Sequence, residues 1–200
     1  MKTLKFEDRE AWLHARRGKI TGSRLKDIVV KRGTNKKIGF WELVAEGLGV
    51  APEDESAMER GSRLEPEALE RFSKELKKKV DTSLIIWTRE DDESIAVSPD
   101  GFINKKEAVE TKCLSSARHI EAFFTQKVPD DYEFQVLQYF IVNDDLQKLH
   151  LVFYDPRILV KDFFTIVINR KDKEEEIEQY LQYQKETMTE VRGYINALTF

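Results

Sequence analysis

Two hundred residues with a mass of 23.4 kDa suit one domain, since chains usually divide only beyond about 250–300 residues. Hydrophobic residues are 40% and charged residues 35% of the chain, and its single cysteine, Cys113, excludes an internal disulfide and a cysteine-based zinc cluster and fits a reducing cytoplasm. The net charge of −4 hides an asymmetry: residues 1–40 carry 12 Lys/Arg against 4 Asp/Glu, and residues 41–70 carry 2 against 9. That pattern allows a basic face for a polyanion beside an acidic region for cations. The other reading is a set of solvated helix faces. No apolar run reaches the ~18 residues of a membrane span. The opening MKTLKFEDREAW has acids and no apolar stretch, so no signal peptide is expected.

In chain order, the first half reads as helical. Leu25, Ile28 and Val29 have amphipathic spacing, with Thr21 or Ser23 as cap. Phe40, Trp41, Val44, Ala45 and Leu48 mark a second helix, and Gly47 to Glu55 a loop. A third helix is expected from about Ala57 to Lys79, with Gly61, Leu64, Ala68, Leu69, Phe72 and Leu76 on one face and a kink or restart at Pro66. Strands are expected at Leu84–Thr88, Ile95–Ser98 and Ala108–Leu114. Pro129–Val142 returns to helix, with Phe134, Leu137, Phe140 and Ile141 on one face. Leu149–Tyr154 and Phe163–Ile168 read as strands, and Asp172–Leu198 as a long charged helix. The chain thus divides into a helical segment over residues 1–79, a sheet core over 80–170 and a closing helix over 172–198, all within one domain. The expected fold class is α/β, a mixed central sheet flanked by helices.

Four features carry chemistry. Ser98-Pro99-Asp100-Gly101 ends a strand at a turn, and Glu110-Thr111-Lys112 follows on the next strand. Glu110 and Lys112 are two apart and share a face, so a hairpin brings them to Asp100. Carboxylate oxygens suit a hard cation such as Mg²⁺, and the lysine can orient a water or stabilise a phosphate oxygen. The alternative is a surface salt-bridge cluster. Glu65 lies on the apolar stripe of its helix, where a carboxylate needs a partner. That partner is Arg63 or Arg60, or else Glu65 is a third acid at the same cation site. Trp12-x3-Arg16-Arg17-Gly18-Lys19-Ile20-Thr21-Gly22-Ser23 joins arginines to a helix start, a combination that binds phosphate. It reads equally as helix capping with a solvated basic run. Gln135, three residues after Tyr132, borders an apolar helix face and reads as a water or phosphate ligand or as a surface glutamine. His14, His119 and His150 show no zinc spacing and read as structural or surface residues, and Cys113 as a core residue.

In this order the features resemble the lambda exonuclease or YqaJ-type viral recombinase family, within the restriction-endonuclease-like PD-(D/E)XK nucleases. The resemblance runs through Trp12-x3-Arg16, Ile20-Thr21-x-Ser23, Gly61-x3-Glu65, Val97-Ser98-Pro99-Asp100-Gly101, Glu110-x-Lys112, Tyr132-x2-Gln135 and Tyr154-Asp155-Pro156-Arg157. It implies a restriction-endonuclease-like fold and a Mg²⁺-dependent exonuclease, with two ions and with Mn²⁺ as a substitute. Such an enzyme degrades the 5′-ended strand of linear duplex DNA to 5′-mononucleotides and leaves 3′ single-stranded tails for recombination. It implies as well a homotrimeric ring, a single-strand annealing protein as partner, and a phage or prophage origin in the cytoplasm of a bacterial host. The metal ligands implied are Asp100, Glu110 and the Thr111 carbonyl, with Glu65 acting through water. Lys112 and Gln135 would position the nucleophilic water, and Arg16, Ser23 and Ser98 would bind a 5′-phosphate. Relatives carry a second glutamine two residues after the first. Here Val136-Leu137-Gln138 follows instead, so Gln138 stays outside the site, and Pro66 stands directly after Glu65.

Three other classes compete. One is a different nuclease of the superfamily, an endonuclease or a RecB-like repair nuclease; the lack of a cysteine cluster weighs against an iron–sulfur Cas4-like module. Another is a non-catalytic module that binds DNA ends, which predicts loss of one acid, yet Glu65, Asp100, Glu110 and Lys112 are all present. A metal-dependent phosphatase or nucleotide hydrolase is weakened by the lack of a P-loop glycine pattern.

Overall fold

Two strands, β5 (Glu107–Lys112) and β6 (Lys148–Tyr154), lie parallel at the centre of a four-stranded sheet. Its edges are β4 (Gly101–Asn104), antiparallel to β5, and β7 (Phe163–Asn169), antiparallel to β6. Parallel neighbours need a long crossover. It is made by α4 (Ser116–Thr125) and α5 (Asp130–Val142). A second, antiparallel sheet has the order β1 (Lys2–Lys5), β2 (Ile85–Thr88), β3 (Ala96–Val97). Bridges at Ile20↔Ile95 and Asp81↔Phe102 extend the pairing beyond the named strands. Further helices are α1 (Arg9–Ala15), α2 (Leu25–Ile28), α3 (Glu59–Leu76) and α6 (Glu174–Thr199), and Gly39, Phe40, Leu43 and Glu46 are helical as well. This computed structural model describes residues 1–30, 37, 39, 40, 43, 46, 59–114, 116–156 and 158–199. The expected positions Trp41, Val44, Ala45, Leu48, Ala57 and Arg157, and the loop Gly47 to Glu55, lie outside the described residues.

The central strands are buried on both faces, and alternation sorts their side chains. Ala108, Leu149, Leu151 and Phe153 face the large core with α5 and α6. Val109, Val152 and Tyr154 face a smaller core with Ala68, Leu69 and Phe72 of α3. Glu110 and Lys112, in step with Ala108, therefore turn toward α5. That helix buries seven consecutive residues, Val136–Val142, because α2, β3 and α6 all pack on it. The single apolar face expected for it was too narrow.

Other expectations are corrected. The first residues are not helical. All four residues of β1 are exposed, so no burial pattern marks it; backbone pairing with β2 makes it, from Lys2↔Thr88 to Lys5↔Ile85. The short β4 and the helix α4 were not expected. Phe102 and Ile103 of β4 are only half-buried, and Phe124 of α4 is 78% exposed, which blurs both periodicities. Helix α3 runs through Pro66 without a restart and stops at Leu76, where Lys77 takes a left-handed φ of 53°. A proline inside a helix costs about 3 kcal/mol. Burial of Leu69 and Phe72, at about 1.5–3 kcal/mol each, offsets it. Neither Thr21 nor Ser23 caps α2 with its side chain. Arg24 is the cap residue, and the Thr21 carbonyl accepts from the N–H of Arg24 (3.0 Å) and Leu25 (3.2 Å).

Candidate active site

The hairpin register pairs Gly101 with Val109, so Asp100, one residue earlier, falls opposite Glu110. Gly101 is required by packing: a Cβ there would lie 2.6 Å from Val80 Cγ1 and 3.3 Å from Leu69 Cδ2. Asp100 is held by β5, its Oδ2 accepting from the Thr111 N–H and from the Thr111 hydroxyl, both at 2.7 Å. Glu110 is 4% exposed, and a buried carboxylate is costly unless it is hydrogen-bonded. Its Oε1 accepts from Lys112 Nζ (2.5 Å) and from Gln135 Nε2 (2.5 Å), and its Oε2 from the Tyr139 hydroxyl. Gln135 and Tyr139 are four apart on α5, so one helix edge presents both donors. Lys112 Nζ also lies 4.6 Å from the centre of the Tyr132 ring.

The acids feel one another. Burial raises the pKa of Asp100 well above the usual carboxylate value, and Glu110 and Glu65 raise it further; Lys112 and the Thr111 N–H pull the other way. Burial likewise raises Glu65, with Glu110 adding to it and Arg9 and Lys112 opposing. Among the described residues, the cations that Glu65 senses are therefore Arg9 and Lys112, rather than the Arg63 that its helix suggested; the Arg60 side chain lies outside the described residues. Burial lowers the pKa of Lys112, but Glu110 and Asp100 overcome it and the net shift is upward. The lysine stands as an ammonium between two acids.

Arg16 closes α1 as its C-terminal cap and lies over the Trp12 ring at 4.4 Å. Burial lowers its pKa, while Glu110 and Asp100 oppose the shift, so the guanidinium lies within electrostatic range of the same acids. The segment beyond it is tied down by Glu46, which accepts from the Gly18 N–H (2.6 Å) and pairs with Arg24 (2.7 Å). Gly22 packs on Gln135, where a Cβ would lie 3.0 Å from Cγ. Its neighbour Ser23 is exposed, with its Oγ 3.5 Å from Thr21 Oγ1. The Ser98 hydroxyl oxygen is buried without a hydrogen-bond partner among the described residues. An orphaned buried hydroxyl costs about 1–3 kcal/mol, a cost removed by a ligand that bonds it.

The structure thus gathers Glu65, Asp100, Glu110, Thr111, Lys112 and Gln135, with Arg16 within electrostatic range of the acids and Ser98 beginning the turn that carries Asp100. Ser23 stands at the margin. Among the described residues, no three of histidine, cysteine, aspartate and glutamate form a ready metal cluster; both Glu110 oxygens are turned to protein donors. The donor set nevertheless fits a hard dication. It offers oxygens only, and its carboxylates repel one another, a strain that a cation relieves. Sequence reasoning missed Tyr139, although the four-residue step from Gln135 was the signal for it. Gln138 is a structural residue. Fully buried, its Nε2 donates to the carbonyls of Ile20 (2.8 Å) and Ala96 (3.1 Å) and to Gln184 Oε1 (3.0 Å). None of the three histidines has a contact in the site: His14 is exposed, His119 Nε2 meets the Lys161 carbonyl (2.7 Å), and His150 Nε2 meets Glu107 (3.3 Å). Cys113 is half-buried against the smaller core.

The sequence pattern of the YqaJ-like viral recombinase domain matches residues 11–145. Two solved structures resemble the chain over most of its length. One is LHK-Exo in complex with dAMP, with a TM-score of 0.81 and 29% identity over 94% of this chain and 95% of that one. The other is the alkaline exonuclease LHK-Exo from Laribacter hongkongensis, with a TM-score of 0.82 and 28% identity over 95% of this chain and 96% of that one. Among curated proteins none matches. The fold is the restriction-endonuclease-like one expected, with its mixed sheet flanked by helices.

Proposed function

Because the chain belongs to the YqaJ-like viral recombinase domain family and shares its fold with an alkaline exonuclease, a DNA exonuclease function is supported, and we propose its finer form: Mg²⁺-dependent degradation of the 5′-ended strand of linear duplex DNA. The observation that carries this reading is the convergence on one hairpin of Asp100 and Glu110, held by Thr111, Lys112 and Gln135. Asp100, Glu110 and the Thr111 carbonyl would hold the metal, with Glu65 reaching it through water. When bound, Mg²⁺ supplies Lewis-acid stabilisation of the phosphate and of the leaving oxygen.

The chain's own residues do the rest. Lys112 is held as an ammonium by Glu110 and Asp100 and gives the attacked phosphate a fixed positive charge. Gln135 fixes Glu110 and orients the attacking water through its amide. Arg16 offers a two-pronged donor to a terminal 5′-phosphate, and the buried Ser98 hydroxyl gains the partner it lacks. Ser23, exposed beside Gly22, completes that grip from the rim. LHK-Exo in complex with dAMP supports release of 5′-mononucleotides here. A ring of three copies around the duplex would give processivity by closure, and a phage recombination setting with an annealing partner completes the reading. The described residues contain no helix long and apolar enough to cross a membrane.

The test is incubation of linear duplex, with and without 5′-phosphate, and of circular duplex. With Mg²⁺ or Mn²⁺, phosphorylated linear ends should be digested fastest and circles left intact; Ca²⁺ should bind without turnover. Full digestion in excess EDTA, or equal attack on circles, would overturn the reading. Light scattering should give three times 23.4 kDa, and a monomer at micromolar concentration would remove the ring.

A further inference from the structure

Tyr139 is fully buried, yet it carries a hydroxyl into the acid cluster of the candidate site. That hydroxyl donates to Glu110 Oε2. Its oxygen also lies 3.5 Å from the Ser98 carbonyl. One side chain on α5 therefore touches both acid-bearing segments, the Ser98–Asp100 turn and β5. The ring is fixed independently of the hydroxyl, edge-on to Trp87 with centroids 6.5 Å apart. Burial and the neighbouring acids Glu110 and Asp100 raise its pKa well above 10, so the group stays a neutral donor.

A carboxylate on a two-bond stem rotates unless both of its oxygens are engaged. Lys112 and Gln135 both take Oε1 of Glu110; Oε2 has Tyr139. Lys112 and Gln135 are also the groups that must turn to water and phosphate during the reaction, so neither is a permanent restraint. Tyr139 is assigned no contact with water or phosphate, so its bond to Oε2 is free to persist.

We propose that Tyr139 is a positioning residue, whose hydroxyl fixes the Glu110 carboxylate and its separation from Asp100 and so sets the affinity of the acid pair for a divalent cation. The inference rests on the nuclease reading above and deepens it. Partners that orient metal ligands commonly contribute about 10–100-fold to metal affinity or activity.

The test is Mn²⁺ binding by calorimetry to the full-length, DNA-free protein, paired with cleavage rates across a Mg²⁺ series. Tyr139→Phe keeps the ring and removes the hydroxyl. It should weaken Mn²⁺ binding by about 10–100-fold and shift the Mg²⁺ requirement upward by the same factor, with the rate at saturating Mg²⁺ largely recovered. Trp87→Phe loosens the ring's packing but spares the hydroxyl, and should leave Mn²⁺ affinity near wild type. Unchanged Mn²⁺ affinity in Tyr139→Phe, or an equal loss in Trp87→Phe, overturns the positioning role while the nuclease reading stands. A wild type that neither binds Mn²⁺ nor cuts DNA overturns both.

Discussion

The two halves of the candidate site are built differently. The acid half sits on β4 and β5, where paired backbone and a buried helix face hold Asp100 and Glu110 through at least two donors each. The basic half sits on α1, an irregular stretch with Gly18 at φ 67°, and the single turn of α2. It is held by side chains: Trp12 beneath Arg16, and Glu46 on Gly18 and Arg24. Groups that perform chemistry need a fixed frame, whereas a phosphate grip tolerates local adjustment. Substitutions in the acid half should therefore act on turnover, and those in the basic half on recognition of the DNA end.

The largest effects test the acid half. Asp100→Asn and Glu110→Gln should remove detectable cleavage while DNA binding and fold persist; near wild-type cutting by either would misplace the site. Lys112→Ala should lower the single-turnover rate by about 10²–10⁴-fold and spare the binding constant. A loss confined to binding would erase the contrast between the halves. On the basic side, Arg16→Ala should cost about 1.5–3 kcal/mol of the preference for 5′-phosphate over 5′-hydroxyl ends, measured as a ratio of kcat/KM values. An unchanged ratio would take Arg16 out of the phosphate pocket.

Smaller effects concern stability. Gly101→Ala presses a methyl onto Val80 and should destabilise the fold by about 1–3 kcal/mol in urea titration. A neutral result would show that the hairpin relaxes freely, against the rigidity assigned to it. Last is a pH effect. The folded pKa of Asp100 is raised above its unfolded value near 3.9, so the protonated form stabilises the fold. That contribution is complete below the unfolded pKa and is lost as pH rises through the raised one. In EDTA, Asp100→Asn should melt above wild type at neutral pH, and the gap should close on acidification. Mg²⁺ should narrow it from the wild-type side. A gap that grows toward low pH would contradict the mutual repulsion of the acids.

Much of this site was legible in the residues themselves. The two-residue step from Glu110 to Lys112 puts them on one face whatever surrounds the strand, and the apolar stripe around Glu65 marked a carboxylate in need of a partner. Alternation and helical periodicity are local properties, so β5, β6, α3, α5 and α6 could be placed, to within a few residues, from sequence alone. Other features have no local signal. The exposed β1 exists only because the edge of β2 was open to it, and α3 continues through Pro66 because Leu69 and Phe72 gain more by burial than the lost hydrogen bond costs. Tyr139 reads as one more core aromatic until α5 is laid against the hairpin. Which charges Glu65 feels was likewise settled by packing: Arg9 and Lys112, far apart in the chain, both act on it across space. Side-chain type and spacing determine which face a group occupies. Only the three-dimensional arrangement decides what that face meets, because the energy of a buried charge depends on its neighbours across space.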